Sequence, residues 1–188
     1  MRLAISGSHG TGKSTLVAAF LERCPDYRHE PEAFETVGDE VDVTSEGPTP
    51  VGLERLLEHT LVVVSGYPAG ASVVFERSPV DYLAYAAASK EWPAGAAEGF
   101  LEAFVPRVRA AIRSLDLIAL LPLPGAGSLD ERPGEDRRFR KRVDAALRSA
   151  LLDDEYDLFD GPGAPTVAEL PRSPDRRLGE LRRLARER

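Results

Sequence analysis

Arg2-Leu-Ala-Ile-Ser-Gly-Ser-His-Gly-Thr-Gly-Lys-Ser-Thr-Leu16 is the stretch from which the rest of the chain is read. Gly7, Gly12, Lys13 and Ser14 stand at the spacing G-x-x-x-x-G-K-[ST], which describes a phosphate-binding loop. The residue types follow from the chemistry. Glycines let the backbone turn tightly, so that successive N–H groups point inward at phosphate oxygens. Lys13 supplies a compact positive charge for the outer phosphates and Ser14 a hydroxyl for Mg²⁺. The helix that starts there turns its positive end toward the anion. The context agrees: Leu3, Ala4 and Ile5 form an apolar run before the loop, and Leu16, Val17, Phe20 and Leu21 follow at helical spacing. Gly7, Ser8, His9, Gly10, Thr11, Gly12, Lys13, Ser14 and Thr15 are therefore the candidate nucleotide contacts.

The bulk numbers bound what surrounds this loop. A chain of 188 residues fits a single domain with a substantial core. Hydrophobic content of 43% and charged content of 29% exclude a disordered or collagen-like chain. A net charge of -7 argues against a general nucleic-acid coat. Cys24 is the only cysteine, so no intrachain disulfide and no thiolate metal cluster can form, and a cytoplasmic location is the expectation. No apolar run approaches the roughly 18 residues of a membrane span, so no membrane partner is expected. Oligomeric state is open, a homodimer included.

Working outward, the first helix runs from about Lys13 to Arg23 and a short second strand ends near Glu30. Thr36 to Pro50 reads as a polar, acidic loop on the substrate side. Leu53, Leu56, Leu57, Thr60, Leu61 and Val64 mark a helix ending at Gly66. Ala71 to Glu76 is a central strand. Ser78 caps the next helix (79–89), with Pro79 at its first position and Asp81 as the third residue of a capping box variant. A helix from about Ala94 to Ser114 contains Pro106. Leu115 to Leu121 is a buried strand, Pro122 to Glu135 a Gly/Pro-rich loop, and 136–152 a helix with Phe139 and Val143 inward. A last strand near 164–170 and a helix from Ser173 complete an α/β chain. Strands alternating with helices imply a parallel sheet covered on both faces.

A phosphate loop needs an acidic partner for its metal, commonly at the end of a neighbouring apolar strand. Glu76 ends Val73-Val74-Phe75-Glu76 at the ligand-binding edge of such a sheet, whereas Asp116 begins its strand and is rejected. Ser14 and Glu76 are thus the candidate metal residues. Arg77 follows at once, placed to clamp a phosphate and spread developing charge. Arg132, Arg137, Arg138, Arg140, Lys141 and Arg142 form a dense basic cluster in an acidic protein. One reading is a solvated helix face balanced by Glu131, Glu135, Asp136 and Asp144. The other, favoured here, is a lid closing on the phosphates, with Arg137 and Arg138 foremost and Arg132 behind.

Phe75-Glu-Arg-Ser-Pro-Val-Asp-Tyr-Leu-Ala-Tyr85 resembles the E-R-S segment of deoxynucleoside kinases. It is closer still to the RSP-D-LAY segment of small P-loop ATPases similar to the ribosylnicotinamide kinase domain. The loop at 5–16 resembles that group as well. The resemblance implies a single-domain P-loop NTPase fold, a five-stranded parallel sheet of order 2-3-1-4-5, and a basic lid at about 123–142. His29-Glu30-Pro31 resembles the E-P pair ending the second strand of deoxynucleoside kinases, where the glutamate takes the proton of the attacking hydroxyl. By that resemblance Glu30 is the candidate base, with Glu32 and Glu35 as rivals, and Phe34 is the nearby aromatic. The reading is an ATP- and Mg²⁺-dependent kinase in which Lys13, Glu30, Arg77, Arg137 and Arg138 act on a nucleoside-like or other small hydroxyl acceptor. The alternative is a P-loop ATPase working as a nucleotide-dependent switch with a protein partner. No Asn-Lys-x-Asp guanine motif is present, so a GTPase of the common type is not expected, and ATP is taken over GTP as the commoner donor.

Overall fold

A computed structural model describes residues 1–44, 47–123 and 137–186. Its centre is a five-stranded parallel sheet of β1 (Arg2–Ser6), β2 (Arg28–Glu30), β5 (Val73–Glu76), β6 (Leu117–Leu120) and β7 (Thr166–Glu169), in the spatial order β2-β5-β1-β6-β7. Counted among themselves, these strands run 2-3-1-4-5, as the resemblance implies. The numbering skips because β3 (Val43–Thr44) and β4 (Gly47–Pro48) form a separate antiparallel pair.

Alternation along the strands divides the core in two. Leu3, Ile5, Val74, Leu117 and Ala119 face one side and pack against Leu16, Val17 and Phe20 of α1 (Lys13–Arg23) and Leu181 of α7 (Pro174–Arg186). Ala4, Phe75, Ile118 and Leu120 face the other side. They meet α3 (Pro50–Gly66), α4 (Pro79–Ala88), α5 (Ala96–Ala111) and α6 (Arg137–Leu152). Each fully buried leucine or phenylalanine adds roughly 1.5–3 kcal/mol of transfer free energy to this packing. At the N-terminal ends of the strands, Asp116 accepts from the Arg2 backbone at 2.6 Å and from its guanidinium at 3.0 Å. That pairing lies at the edge opposite the phosphate loop.

One stretch differs from expectation. The described residues of 36–50, a stretch read as a loop, include the end of α2 (Ala33–Val37), a 3₁₀ turn over Gly38–Glu40, the β3–β4 pair and the start of α3. Its charges and glycines conceal buried anchors. Val41 packs into the core, and the Trp92 indole N–H donates to the Pro48 carbonyl at 3.1 Å. Pro106 lies inside α5 without ending it. Ser78 caps α4 as anticipated, its N–H donating to Asp81 at 3.0 Å. Arg132 and most of the expected lid fall outside the described residues.

Candidate functional site

The site forms where β1, β5 and β2 end. Gly10 and Gly12 adopt φ of 66° and 90°, so the turn into α1 demands glycine at both. Gly7 has another reason: a Cβ there would stand 2.9 Å from both the Leu121 carbonyl oxygen and Thr11 Oγ1. Its N–H donates to Asp81 at 3.1 Å. Gly7 therefore shapes the loop, and its own N–H is turned to α4 rather than to a ligand.

The outward carbonyls of the loop are collected by cations. Lys13 Nζ donates to the Gly7 and Ser8 carbonyls, both at 3.1 Å. Arg77 also donates to the Gly7 carbonyl at 3.1 Å, Arg140 to that of Gly10 at 2.6 Å, and Arg177 to that of Thr11 at 2.6 Å. Burial, and after it the neighbouring Arg77 charge, lowers the Lys13 pKa to about 8. The lysine is thus a poorly solvated cation close to an anion-binding turn. His9 sits between α4 and α6, 3.4 Å from the Tyr85 hydroxyl and with its ring 6.3 Å from that of Phe139.

Ser14 and Glu76 come together as their positions implied. The Ser14 hydroxyl donates to Glu76 Oε1 at 2.5 Å, and Glu76 is buried. A hydroxyl and a buried carboxylate in contact at the head of a helix are hard oxygen donors that suit Mg²⁺.

Arg77 is buried at a positive φ of 81° and fully engaged. It donates to Glu32 at 2.5 Å, to Asp81 at 3.4 Å and to the Tyr85 hydroxyl at 3.2 Å, and its guanidinium lies over the Tyr85 ring. Burial works against its charge, but Glu32, Tyr85 and Asp81 together outweigh burial and push the pKa well up. For Glu32 burial would raise the pKa, yet Arg77 and then Lys13 bring it below the usual carboxylate range. Glu32 is therefore an anion held beside the phosphate loop.

Glu30 stands elsewhere. It is in register with Phe75, and its carboxylate accepts from the Tyr67 hydroxyl of the loop after α3 and pairs with Arg28 at 3.2 Å. Burial first, then Glu30, raises the Tyr67 pKa to about 12. Glu30, Ala33, Thr36, His59, Glu76 and Arg77 are among the residues around a cavity of about 20 Å³ between α2 and α3. That is the room of a single water. Phe34 is 44% exposed, with its ring over Gly38.

Arg137 and Arg138 lie exposed in the first turn of α6, and the arginine of that helix seen on the loop is Arg140. Arg177 escaped sequence reading altogether. It also bonds the carbonyls of Pro122, Pro171 and Arg172, tying the phosphate loop to the ends of β6 and β7. Its signal in the sequence is no more than one arginine among several on an amphipathic helix.

Fold and loop together define the class: a P-loop NTPase domain with the sheet order of nucleoside kinases. A family model described as an AAA domain matches residues 2–165, and the chain belongs to that family. Among solved structures, it is similar to deoxyadenosine kinase from M. mycoides with bound dATP (TM-score 0.63, 13% identity, 98% of each chain). It is also similar to the NadR protein in complex with NR (TM-score 0.62, 22% identity), over 93% of this chain and 44% of that one. NadR has further been seen with NAD and AMP-PNP, with a TM-score of 0.59 and 23% identity over 90% of this chain. No curated protein sequence matches the chain.

Proposed function

We propose that the chain is a kinase that transfers the γ-phosphate of Mg-ATP to the hydroxyl of a nucleoside-like or other small molecule. The observation that carries this reading is the Glu32 carboxylate, held by Arg77 at 2.5 Å beside the phosphate loop. An anion fixed there is placed to accept the proton of an attacking hydroxyl, and a no-acceptor control separates a small-molecule hydroxyl from water. Nucleotide binding by the similar structures supports the donor side.

In this reading Lys13 and the inward loop N–H groups bind the β- and γ-phosphates. Ser14 and Glu76 would hold Mg²⁺, which would supply charge neutralisation on the phosphate oxygens. Arg77 positions Glu32 and the loop. Arg137, Arg138 and Arg140 lie on the helix that approaches the phosphates. The base role moves from Glu30 to Glu32, because Arg77 ties Glu32 to the Gly7 carbonyl of the phosphate loop, whereas the partners of Glu30 are Tyr67 and Arg28. With its lowered pKa, Glu32 is a weak base. It orients the acceptor hydroxyl and takes the proton late, once bonding to phosphorus has made that proton acidic.

The test is transfer of labelled γ-phosphate from Mg-ATP to nucleosides, nucleoside monophosphates and small alcohols, with a no-acceptor control. Acceptor-dependent product is expected. Glu32→Gln lowers its rate roughly 100-fold or more with ATP affinity retained, while Glu30→Gln acts mainly on acceptor KM. Acceptor-independent phosphate release as the sole activity would overturn the kinase reading in favour of a switch.

A further inference from the structure

The alternation of β2 puts a different residue from Glu30 beside the metal carboxylate. His29 is in register with Val74, two residues before Glu76, so its side chain shares the α1-facing side of the sheet with both. His29 Nε2 stands 3.7 Å from Glu76 Oε2, while the other oxygen of that carboxylate accepts the Ser14 hydroxyl at 2.5 Å. Two donors on one cation, with bonds of about 2.0–2.2 Å, lie roughly 3.0–3.5 Å apart in cis-octahedral or tetrahedral arrangements. The Glu76 side chain is 4% exposed and held, whereas that of His29 is 37% exposed and has room for the small rotation that closes the difference.

We propose that His29 is a nitrogen ligand of the Ser14–Glu76 cation site, and that it shifts the relative affinity of this site from Mg²⁺ toward Mn²⁺. The inference rests on the reading of Ser14 and Glu76 as the metal residues. Mg²⁺ is served by an all-oxygen octahedron, and an imidazole nitrogen in its place favours first-row transition ions over it. No redox step is involved: the ion would play the charge-neutralising part already given to Mg²⁺.

The chain has three histidines, which makes the test direct. Protein labelled with ¹⁵N in histidine only is loaded with Mn²⁺ and unlabelled ADP, and electron spin-echo modulation reads any ¹⁵N coupled to the ion. The expected result is a ¹⁵N coupling in the wild type that persists in His9→Gln and His59→Gln and vanishes in His29→Gln. Titration should also show the Mn²⁺ to Mg²⁺ affinity ratio falling about tenfold in His29→Gln. Bound Mn²⁺ without a ¹⁵N coupling, or a coupling that survives in His29→Gln, overturns the proposal while leaving Ser14 and Glu76 in place. Mn²⁺ affinity unchanged in both Ser14→Ala and Glu76→Gln overturns the underlying metal reading as well.

Discussion

The loop between β1 and α1 and the segment from β2 through α2 both border the site, and they are built in opposite ways. The loop is a contiguous stretch whose glycines, lysine and serine act where they stand in sequence. It is then clamped from outside by Arg77 before α4, Arg140 on α6 and Arg177 on α7. The β2–α2 segment is a three-residue edge strand and a five-residue helix. Too short to hold themselves, they depend on long-range contacts: the β2–β5 pairing, Ala33 in the core, Glu32 with Arg77, and Glu30 with Tyr67. A site can thus combine one half that is locally encoded and rigid with another whose meaning depends on its neighbours.

The largest effect that tests this contrast is expected from the loop. Lys13→Ala should lower turnover roughly 100-fold or more while leaving the fold intact, since it removes a buried cation rather than core packing. Turnover and melting temperature measured together check this, and unchanged turnover would sink the phosphate-loop assignment. Next comes the outer clamp. Arg177→Ala strips a buried guanidinium from four carbonyls, and a loss of about 2–4 kcal/mol in urea unfolding is expected, with weaker nucleotide binding. If stability falls but ADP affinity does not, the clamp serves the sheet rather than the loop.

A pH titration sharpens the loop's side of the comparison. Below about pH 8 Lys13 is charged with or without nucleotide, so it gives no slope. Above that pH the free protein has lost a proton that phosphate would retain. Nucleotide affinity should then fall by up to tenfold per pH unit, with proton uptake on binding visible by calorimetry in buffers of differing ionisation enthalpy. The folding linkage has the other sign. The cost of burying the charge is present below about pH 8 and fades as pH rises toward the ordinary lysine value of 10.5, so this group's contribution to stability rises across that window. The smallest expected effect is Gly10→Ala. It strains a φ of 66° and presses on the Arg140 guanidinium 3.0 Å away, a flexible end that can yield. A loss of about 1 kcal/mol, read as a roughly fivefold rise in nucleotide KM, is anticipated.

Much of this was legible in the chain itself. The loop, α1, the capped start of α4 and the buried strands follow from glycine geometry, apolar periodicity and capping chemistry, all of which act between residues close in sequence. Glu76 was legible too, because its distance from the loop is set by strand length and sheet edge. The sequence could not decide among Glu30, Glu32 and Glu35. Strand parity turns Glu30 to Tyr67 and brings His29 to Glu76, and neither partner is near in sequence. Arg140 was legible only as one member of a basic cluster, and Arg177 was hidden, for the same reason: an arginine on an amphipathic helix becomes a clamp only when packing delivers its guanidinium to a distant carbonyl. Local conformational preference thus determined the phosphate loop and the order of elements. Which carboxylate, imidazole and guanidinium meet at that loop was decided by strand register and helix docking, whose partners lie up to 166 residues apart.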